Sequence, residues 1–101
     1  MSQITHVVLV RWKPNTAEGT VASIRELSKS LRRAIPGIAS LREGPSVSPE
    51  GLEGGFAYGL VIEFEDASAR DAYLVHPAHL PLAEALRANA ESLVVFDLGG
   101  W

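Results

Sequence analysis

Residues 56–65 alternate in side-chain size in a way that fits an extended strand. The larger apolar side chains stand at every second position: Phe56, Tyr58, Leu60, Ile62 and Phe64. The side chains between them are small, branched or acidic, from Ala57 to Glu65. Because successive side chains of a strand point to opposite faces of its sheet, the pattern predicts a strand with different packing partners on its two faces.

Residues 3–12 predict another strand, with apolar residues on both faces. One face carries Ile4, His6, Val8, Val10 and Trp12. The other face carries Val7 and Leu9. A strand that is apolar on both faces is typical of one that protein covers on both sides.

An amphipathic helix is predicted over residues 16–34. Its apolar stripe recurs at spacings of three and four residues: Val21, Ile24, Leu27, Leu31 and Ile35. Asn15 with Glu18 resembles a capping box, and Thr16 is an alternative cap. Pro36-Gly37 stops the helix.

Two shorter helical segments are predicted on either side of Pro77. The first is capped by Asp66 or Ser68. It ends before Pro77, because a proline disfavours helical geometry at the residue that precedes it. Its inward residues are predicted to be Ala69, Ala72 and Tyr73. The second segment covers residues 79–90, with an apolar stripe of Leu82, Leu86 and Ala90.

The two remaining strands carry weaker signals. Residues 38–48 predict an edge strand that is bent or bulged at the Gly44-Pro45 step. Residues 49–55 are rich in glycine and predict a loop. Residues 93–98 predict the last strand.

The order of these elements is β-α-β-β-α-β, an α+β fold with a four-stranded antiparallel sheet. Helices on one face of this sheet leave the other face open. The residues predicted to point to the open face are Val7, Leu9, Val61, Leu93 and Val95. A second copy of the sheet, related by a two-fold axis, would bury them, so the sequence predicts a homodimer. Trp101 is predicted to pack at its seam.

Composition excludes several classes of function. The formal net charge is −3, from nine basic and twelve acidic residues without a basic run, so no nucleic-acid partner is expected. The absence of cysteine excludes disulfides and thiolate ligands to zinc. No apolar run approaches the roughly 18 residues of a membrane span, and the first residues lack a signal-peptide pattern. We therefore expect a single domain over residues 1–101, cytoplasmic, without a membrane partner or a cofactor.

The segment 73–79 concentrates the groups best suited to acid–base chemistry. It holds two of the three histidines, His76 and His79, together with Tyr73. Imidazole is the side chain whose ordinary pKa lies closest to neutral pH. If the large-residue faces of the strands lie beneath the helices, four polar side chains converge on one cavity: His6, Tyr58, Tyr73 and His79.

Two other interpretations of these histidines stay open. His76 and His79 satisfy backbone groups where Pro77 interrupts the helix, which is a structural role. Their i, i+3 spacing also presents two imidazoles to a divalent metal, for which Asp71 or Glu63 would have to add a carboxylate. No H-E-x-x-H motif is present, and we expect no metal.

Several motifs, taken in order, resemble those of the stress-responsive A/B barrel (Dabb) domain family. They are the segments His6 to Lys13, Gly55 to Phe64, Tyr73 to His79 and Leu93 to Asp97. The resemblance covers essentially the whole chain. It implies a ferredoxin-like subunit whose sheet pairs with its twin into a dimeric α/β barrel.

The resemblance also implies a function, because a characterised plant member is a polyketide cyclase that closes rings by an aldol-type step. It assigns the general base to His79 and its partner to Tyr73. His6 matches a pocket histidine, and Tyr58 stands where the cyclase has another. We expect His6, Tyr58 and His76 to bind the substrate, an apolar carbonyl-bearing metabolite. The alternative is a non-catalytic stress-responsive dimer whose histidines are structural.

Overall fold

The computed structural model describes residues 3–100. Trp101, predicted to pack at the dimer seam, lies outside the described residues. The elements are β1 Ile4–Trp12, α1 Glu18–Ala34, β2 Ile38–Pro45, β3 Tyr58–Phe64, α2 Ala67–Leu74, a 3-10 turn Pro77–His79, α3 Leu80–Asn89 and β4 Ala90–Leu98. The predicted order of strands and helices is therefore confirmed.

The four strands of the described chain form one antiparallel sheet in the order β2-β3-β1-β4. β2 is an edge strand, as predicted, but its bulge lies between Ile38 and Ser40 and not at the Gly44-Pro45 step. The strand also ends at Pro45, and residues 46–48 do not continue it. This is the predicted ferredoxin-like α+β fold.

The core lies between one face of the sheet and the helices. The sheet contributes buried Val8, Val10, Tyr58, Leu60, Ile62 and Phe64. The helices and their ends contribute Ile24, Leu31, Ile35, Tyr73, Leu82 and Leu86. Removing each large apolar side chain from water stabilises the fold by roughly 1.5–3 kcal/mol before entropy is counted. The predicted alternation is confirmed within β3, where every second residue from Tyr58 to Phe64 faces this core, but Phe56 lies outside the strand and its ring contacts Arg11.

The helix starts only partly follow the predicted caps. Asp66 caps α2, as predicted, because its Oδ1 accepts a hydrogen bond from the backbone N–H of Ala69 at 2.8 Å. Neither predicted cap of α1 is used: the capping position is Ala17, without a side-chain hydrogen bond. Thr16 instead donates its hydroxyl to the carbonyl of Lys13 at 2.7 Å. Ala72, predicted to face inward on α2, is exposed.

The assignment of β4 residues to the two faces was wrong. Val8 pairs with Val95 and His6 pairs with Asp97, and directly paired residues share a face. Leu93 and Val95 therefore lie on the helix side of the sheet. The β4 residues on the open face are Val94, Phe96 and Leu98. Because residues 93–96 are apolar at every position, this segment carries no alternation that fixes its orientation.

The open face remains as apolar as predicted, with different members. It carries Val7, Leu9, Val61, Val94, Phe96 and Leu98. Phe96 keeps 59% of its surface exposed and Leu98 keeps 53%. A contiguous apolar surface of this kind is typical of an association site. Within residues 3–100, no helix combines the length and apolarity needed to span a bilayer.

Candidate functional site

A cavity of about 160 Å³ opens between the sheet and α3. Its wall is mostly apolar and includes Val8, Leu74, Leu86, Leu93 and Val95. Two imidazoles, those of His6 and His79, reach the same cavity. An apolar cavity of roughly 150 Å³ is large enough for a benzene-sized group, so the site suits a small ligand.

The break at Pro77 determines where the segment's two histidines point. Pro77 begins a 3-10 turn whose capping residue is His76. The Nδ1 atom of His76 accepts a hydrogen bond from the backbone N–H of Ala78 at 3.0 Å. His79 is the last residue of the turn and lies directly before α3, from which it reaches the cavity. The turn therefore directs His79 to the cavity, while His76 caps the backbone.

Tyr73 lies behind the cavity wall, in contact with both imidazoles. The ring centroid of Tyr73 is 4.4 Å from that of His79 and 5.7 Å from that of His6. Tyr73 is 1% exposed and also packs against Phe64, with 5.0 Å between ring centroids. The two rings make a tilted contact, with 44° between their planes, and no hydrogen bond between the two side chains is present in residues 3–100.

The environment favours the neutral form of His79. Burial lowers the pKa of His79, and the nearby His6 and Arg87 lower it further, against the effect of a backbone hydrogen bond at Leu74. Burial raises the pKa of Tyr73, so its phenol stays protonated. A neutral imidazole beside an apolar cavity is able to accept a proton from a bound molecule.

His6 is oriented by a carboxylate from β4. Its Nδ1 lies 2.5 Å from Oδ1 of Asp97, whose other oxygen accepts a hydrogen bond from Nη1 of Arg70 at 2.5 Å. Burial favours a raised pKa at Asp97, but the hydrogen bonds and charges of His6 and Arg70 outweigh it and leave the pKa below its usual value. An ionised carboxylate only accepts hydrogen bonds, so Nδ1 of His6 carries a proton and Nε2 is left for a ligand.

Tyr58 does not join this cavity, so the predicted convergence of four polar residues does not occur. Tyr58 pairs with Val10, four residues along β1 from His6, which is roughly 13 Å of strand. Its hydroxyl donates to Oγ of Ser28 at 2.9 Å, beneath α1. Tyr58 therefore belongs to a buried polar contact at the other end of the sheet.

Comparison with known proteins identifies a family for the chain. Residues 4–99 match the family of the stress responsive A/B barrel domain. The chain belongs to this family. It is 23% identical over 94 residues to olivetolic acid cyclase of Cannabis sativa, covering 93% of each chain.

Solved structures with the same fold as this Dabb domain include two that differ in their descriptions. One is a dimeric ferredoxin-like protein from Jannaschia sp., with a TM-score of 0.85 and 27% identity over 95% of this chain and 97% of the other. The other is hydroxynitrile lyase from Passiflora edulis, with a TM-score of 0.89 and 19% identity over 98% and 94% of the two chains. The fold is thus shared with a protein described as a dimer.

The alternative in which His76 and His79 bind a metal requires further ligands close by. Residues 3–100 contain no group of three or more histidine and carboxylate side chains placed to hold an ion. His76 already uses Nδ1 to accept from the Ala78 backbone. His79, by contrast, lines the cavity beside α3.

Three polar residues of the site were missed by sequence reasoning: Arg70, Arg87 and Asp97. Asp97 reaches His6 because β4 pairs with β1 in the register His6–Asp97. The signal available was the acidic residue near the end of an otherwise apolar strand, since such a carboxylate needs a polar partner. Arg87 of α3 follows His79 by eight residues, about 2.2 helical turns, so the two side chains lie within a quarter turn of each other around the helix axis.

Proposed function

We propose that the cavity binds a small carbonyl-bearing molecule, and that His79 removes a proton from the carbon next to the carbonyl. The observation that supports this most is a neutral, partly buried imidazole that lines an apolar cavity and is held in place by the ring of Tyr73. Proton abstraction by a positioned base requires such a group within reach of the substrate carbon.

The reaction class that fits is an aldol-type ring closure. His79 takes the proton, and the C–H electron pair moves to the carbonyl oxygen to give an enolate. The enolate carbon attacks a second carbonyl of the same molecule, which forms the new carbon–carbon bond. The resulting alkoxide takes the proton back from the imidazolium, and loss of one water gives the cyclic enone.

The other residues position the groups that react. Tyr73 supports the ring of His79 through a tilted ring contact. His6, held at Nδ1 by Asp97, directs Nε2 toward polar groups of the ligand. Tyr58 and His76, predicted from the sequence to bind substrate, have no role in this proposal because their polar atoms contact Ser28 and the Ala78 backbone.

The relative from Cannabis sativa supports ring-closing chemistry, since its name describes a cyclase. The cavity of about 160 Å³ supports a small substrate, because an apolar cavity of roughly 150 Å³ binds a benzene-sized group. A compact dicarbonyl compound is therefore the substrate class that we assign.

A second copy of the chain is the partner in this proposal. The open face carries Val7, Leu9, Val61 and three apolar residues of β4, which one subunit leaves in water. Face-to-face pairing of two such sheets by a two-fold axis buries both at once. The dimeric relative from Jannaschia sp. supports this arrangement.

The proposal is tested with acetonylacetone, a linear diketone that closes to methylcyclopentenone with loss of water. Proton NMR in D₂O follows exchange at its α-carbons, and ultraviolet absorbance follows the enone. We expect both rates to exceed the buffer rate, and His79→Gln to remove most of the increase. His76→Asn is the matched control, because asparagine keeps a capping acceptor. Equal rates for wild type, His79→Gln and buffer would overturn the proposal.

One observation favours a second candidate function, a non-catalytic dimer with structural histidines. His76 caps the 3-10 turn, and His79 has a backbone hydrogen bond at Leu74, so both contribute to the junction of α2 and α3. In this case His79→Ala lowers the free energy of unfolding by about 1–2 kcal/mol, and the melting temperature falls by several degrees. Thermal unfolding followed by circular dichroism, measured beside the exchange assay, separates the two functions.

A further inference from the structure

Arg87 borders the same cavity from α3, two helical turns beyond His79. Its side chain is exposed at the mouth of the cavity. Its positive charge contributes to the lowered pKa of His79, which is consistent with the two groups being within electrostatic reach of each other.

Arg87 differs from the arginines that join elements of the fold. Arg25 pairs with Glu43, and Arg70 pairs with Asp97. Within residues 3–100, Arg87 forms no salt bridge, so its donors are not committed to a carboxylate of the described chain. A guanidinium offers a planar set of donors that matches a carboxylate through two parallel hydrogen bonds.

The rest of the cavity wall, between Arg87 and His79, is apolar. Apart from His6 and His79, it consists of apolar side chains such as Val8, Leu86 and Val95. A ligand that uses the whole site has an apolar body, a polar group at the imidazoles and a negative group at Arg87.

We propose that the dicarbonyl ligand of this cavity also carries a carboxylate, which binds Arg87 while one of the carbonyls lies beside His79. This rests on the proposed function and names its substrate class: an anion with a reactive carbonyl. Arg87 acts as a specificity-determining residue, since it contacts the anionic group of the ligand and takes no part in proton transfer.

The geometry of α3 sets the length of the acid. Eight residues separate His79 from Arg87, which is roughly 12 Å along the helix axis. Helical side chains lean toward the N-terminus, so the guanidinium extends back toward His79 and shortens the gap. The carboxylate therefore belongs several bonds from the carbonyl, and affinity should peak at an intermediate chain length.

The experiment uses methylketo acids that begin with levulinate and lengthen by one methylene at a time, each beside its methyl ester. Binding is measured through the imidazole signals of the wild-type protein in NMR titrations at low ionic strength. The acid should bind more tightly than its ester, and the difference should shrink as salt is added. Because Arg87 is exposed, we expect roughly a fivefold loss of acid affinity in Arg87→Gln, with ester affinity unchanged.

Arg33→Gln is the matched control. Arg33 is also exposed, and its substitution removes the same charge from α1, away from the cavity. Arg87→Lys keeps the charge but loses the planar donors, and should fall between wild type and Arg87→Gln. Circular dichroism verifies that each variant is folded.

The outcomes separate this inference from the proposed function. If acid and ester bind wild type equally, or if Arg33→Gln weakens acid binding as much as Arg87→Gln, the role of Arg87 is overturned and the cavity remains a ligand site. If neither acid nor ester binds, the proposed function fails as well. A loss confined to the acid in Arg87→Gln supports the inference.

Discussion

The three histidines of the chain occupy three different environments, although their side chains are identical. His6 is held by Asp97, His76 accepts from a backbone N–H, and His79 reaches the cavity against the ring of Tyr73. Each environment favours a different use: orientation, capping and proton transfer. The chemistry of a residue here follows from its partners, because burial and charge determine which protonation state is available.

The lowered pKa of His79 gives a prediction about pH. His79 must be neutral to act as a base, and burial keeps it neutral below the usual titration range of histidine. The rate of α-proton exchange on acetonylacetone should therefore rise with pH to a plateau, with a midpoint below the ordinary value of about 6.5. Exchange rates measured across the acidic range by NMR check this. A midpoint above that value would contradict the assigned environment.

The same shift makes stability depend on pH. As pH falls, the unfolded chain protonates at the ordinary histidine value, while folded His79 stays neutral to a lower pH. The unfolded state then binds more protons, so the free energy of unfolding decreases from the ordinary histidine value down to the folded pKa. Urea unfolding at a series of pH values should show a smaller decrease in His79→Gln than in wild type.

Asp97 has a separate test, because it positions His6 without lining the cavity. Asp97→Asn removes the charged acceptor of Nδ1, and we expect roughly a tenfold loss of exchange rate with the His79 pH midpoint nearly unchanged. Asp71→Asn is the matched control, since Asp71 also pairs with Arg70 but does not contact His6. Equal losses in the two variants would show that Arg70, and not His6, carries the effect.

At the scale of elements, two chain corners pack together to support the site. Gly37, between α1 and β2, accepts a backbone hydrogen bond from Glu65 at 3.0 Å and lies against Ala69 of α2. α2 carries Tyr73, and the turn after α2 carries His79. The close approach at Gly37 therefore helps to position α2 and the turn that follows it.

Gly37→Ala is expected to destabilise the protein. Gly37 has φ of +90°, and an added Cβ would lie 2.7 Å from the Cβ of Ala69. Strain and overpacking together should lower the free energy of unfolding by roughly 1–3 kcal/mol. Gly19→Ala is the control: Gly19 lies inside α1 with open space around it, so alanine should be neutral or stabilising by up to about 1 kcal/mol. Urea unfolding of both variants measures the contrast.

At the scale of the whole molecule, the two faces of the sheet differ in how they are covered. The core side is closed by three helices, whereas the open face leaves apolar side chains of β1, β3 and β4 in water. The hydrophobic effect favours the burial of this surface against an equally apolar one. This is the physical reason for proposing a dimer.

Phe96→Asp should disrupt the proposed dimer. A carboxylate in an apolar interface must be desolvated without a partner, so the variant should elute as a monomer in size-exclusion chromatography with light scattering. Val47→Asp is the control, because Val47 is 90% exposed in the loop between β2 and β3. A wild-type chain that is monomeric at micromolar concentration would contradict the proposal.

The sequence allowed most of the fold to be predicted, because its strongest signals are local. The alternation in residues 56–65 and the stripe of α1 depend only on the periods of strands and helices. The capping of α2 by Asp66 is likewise a contact between neighbours in the chain. The helix break at Pro77 directs His79 into the cavity. It follows from proline alone, because the proline ring removes the backbone N–H that a helix needs.

Tertiary structure alone decided which distant residues meet. The faces of β4 followed from its register with β1, which no alternation in residues 93–96 specifies. That register brought Asp97 to His6, and the length of β1 kept Tyr58 away from both. Such pairings depend on packing between segments that are far apart in sequence. The free energy of this packing is shared across the sheet, so no single stretch of residues specifies it.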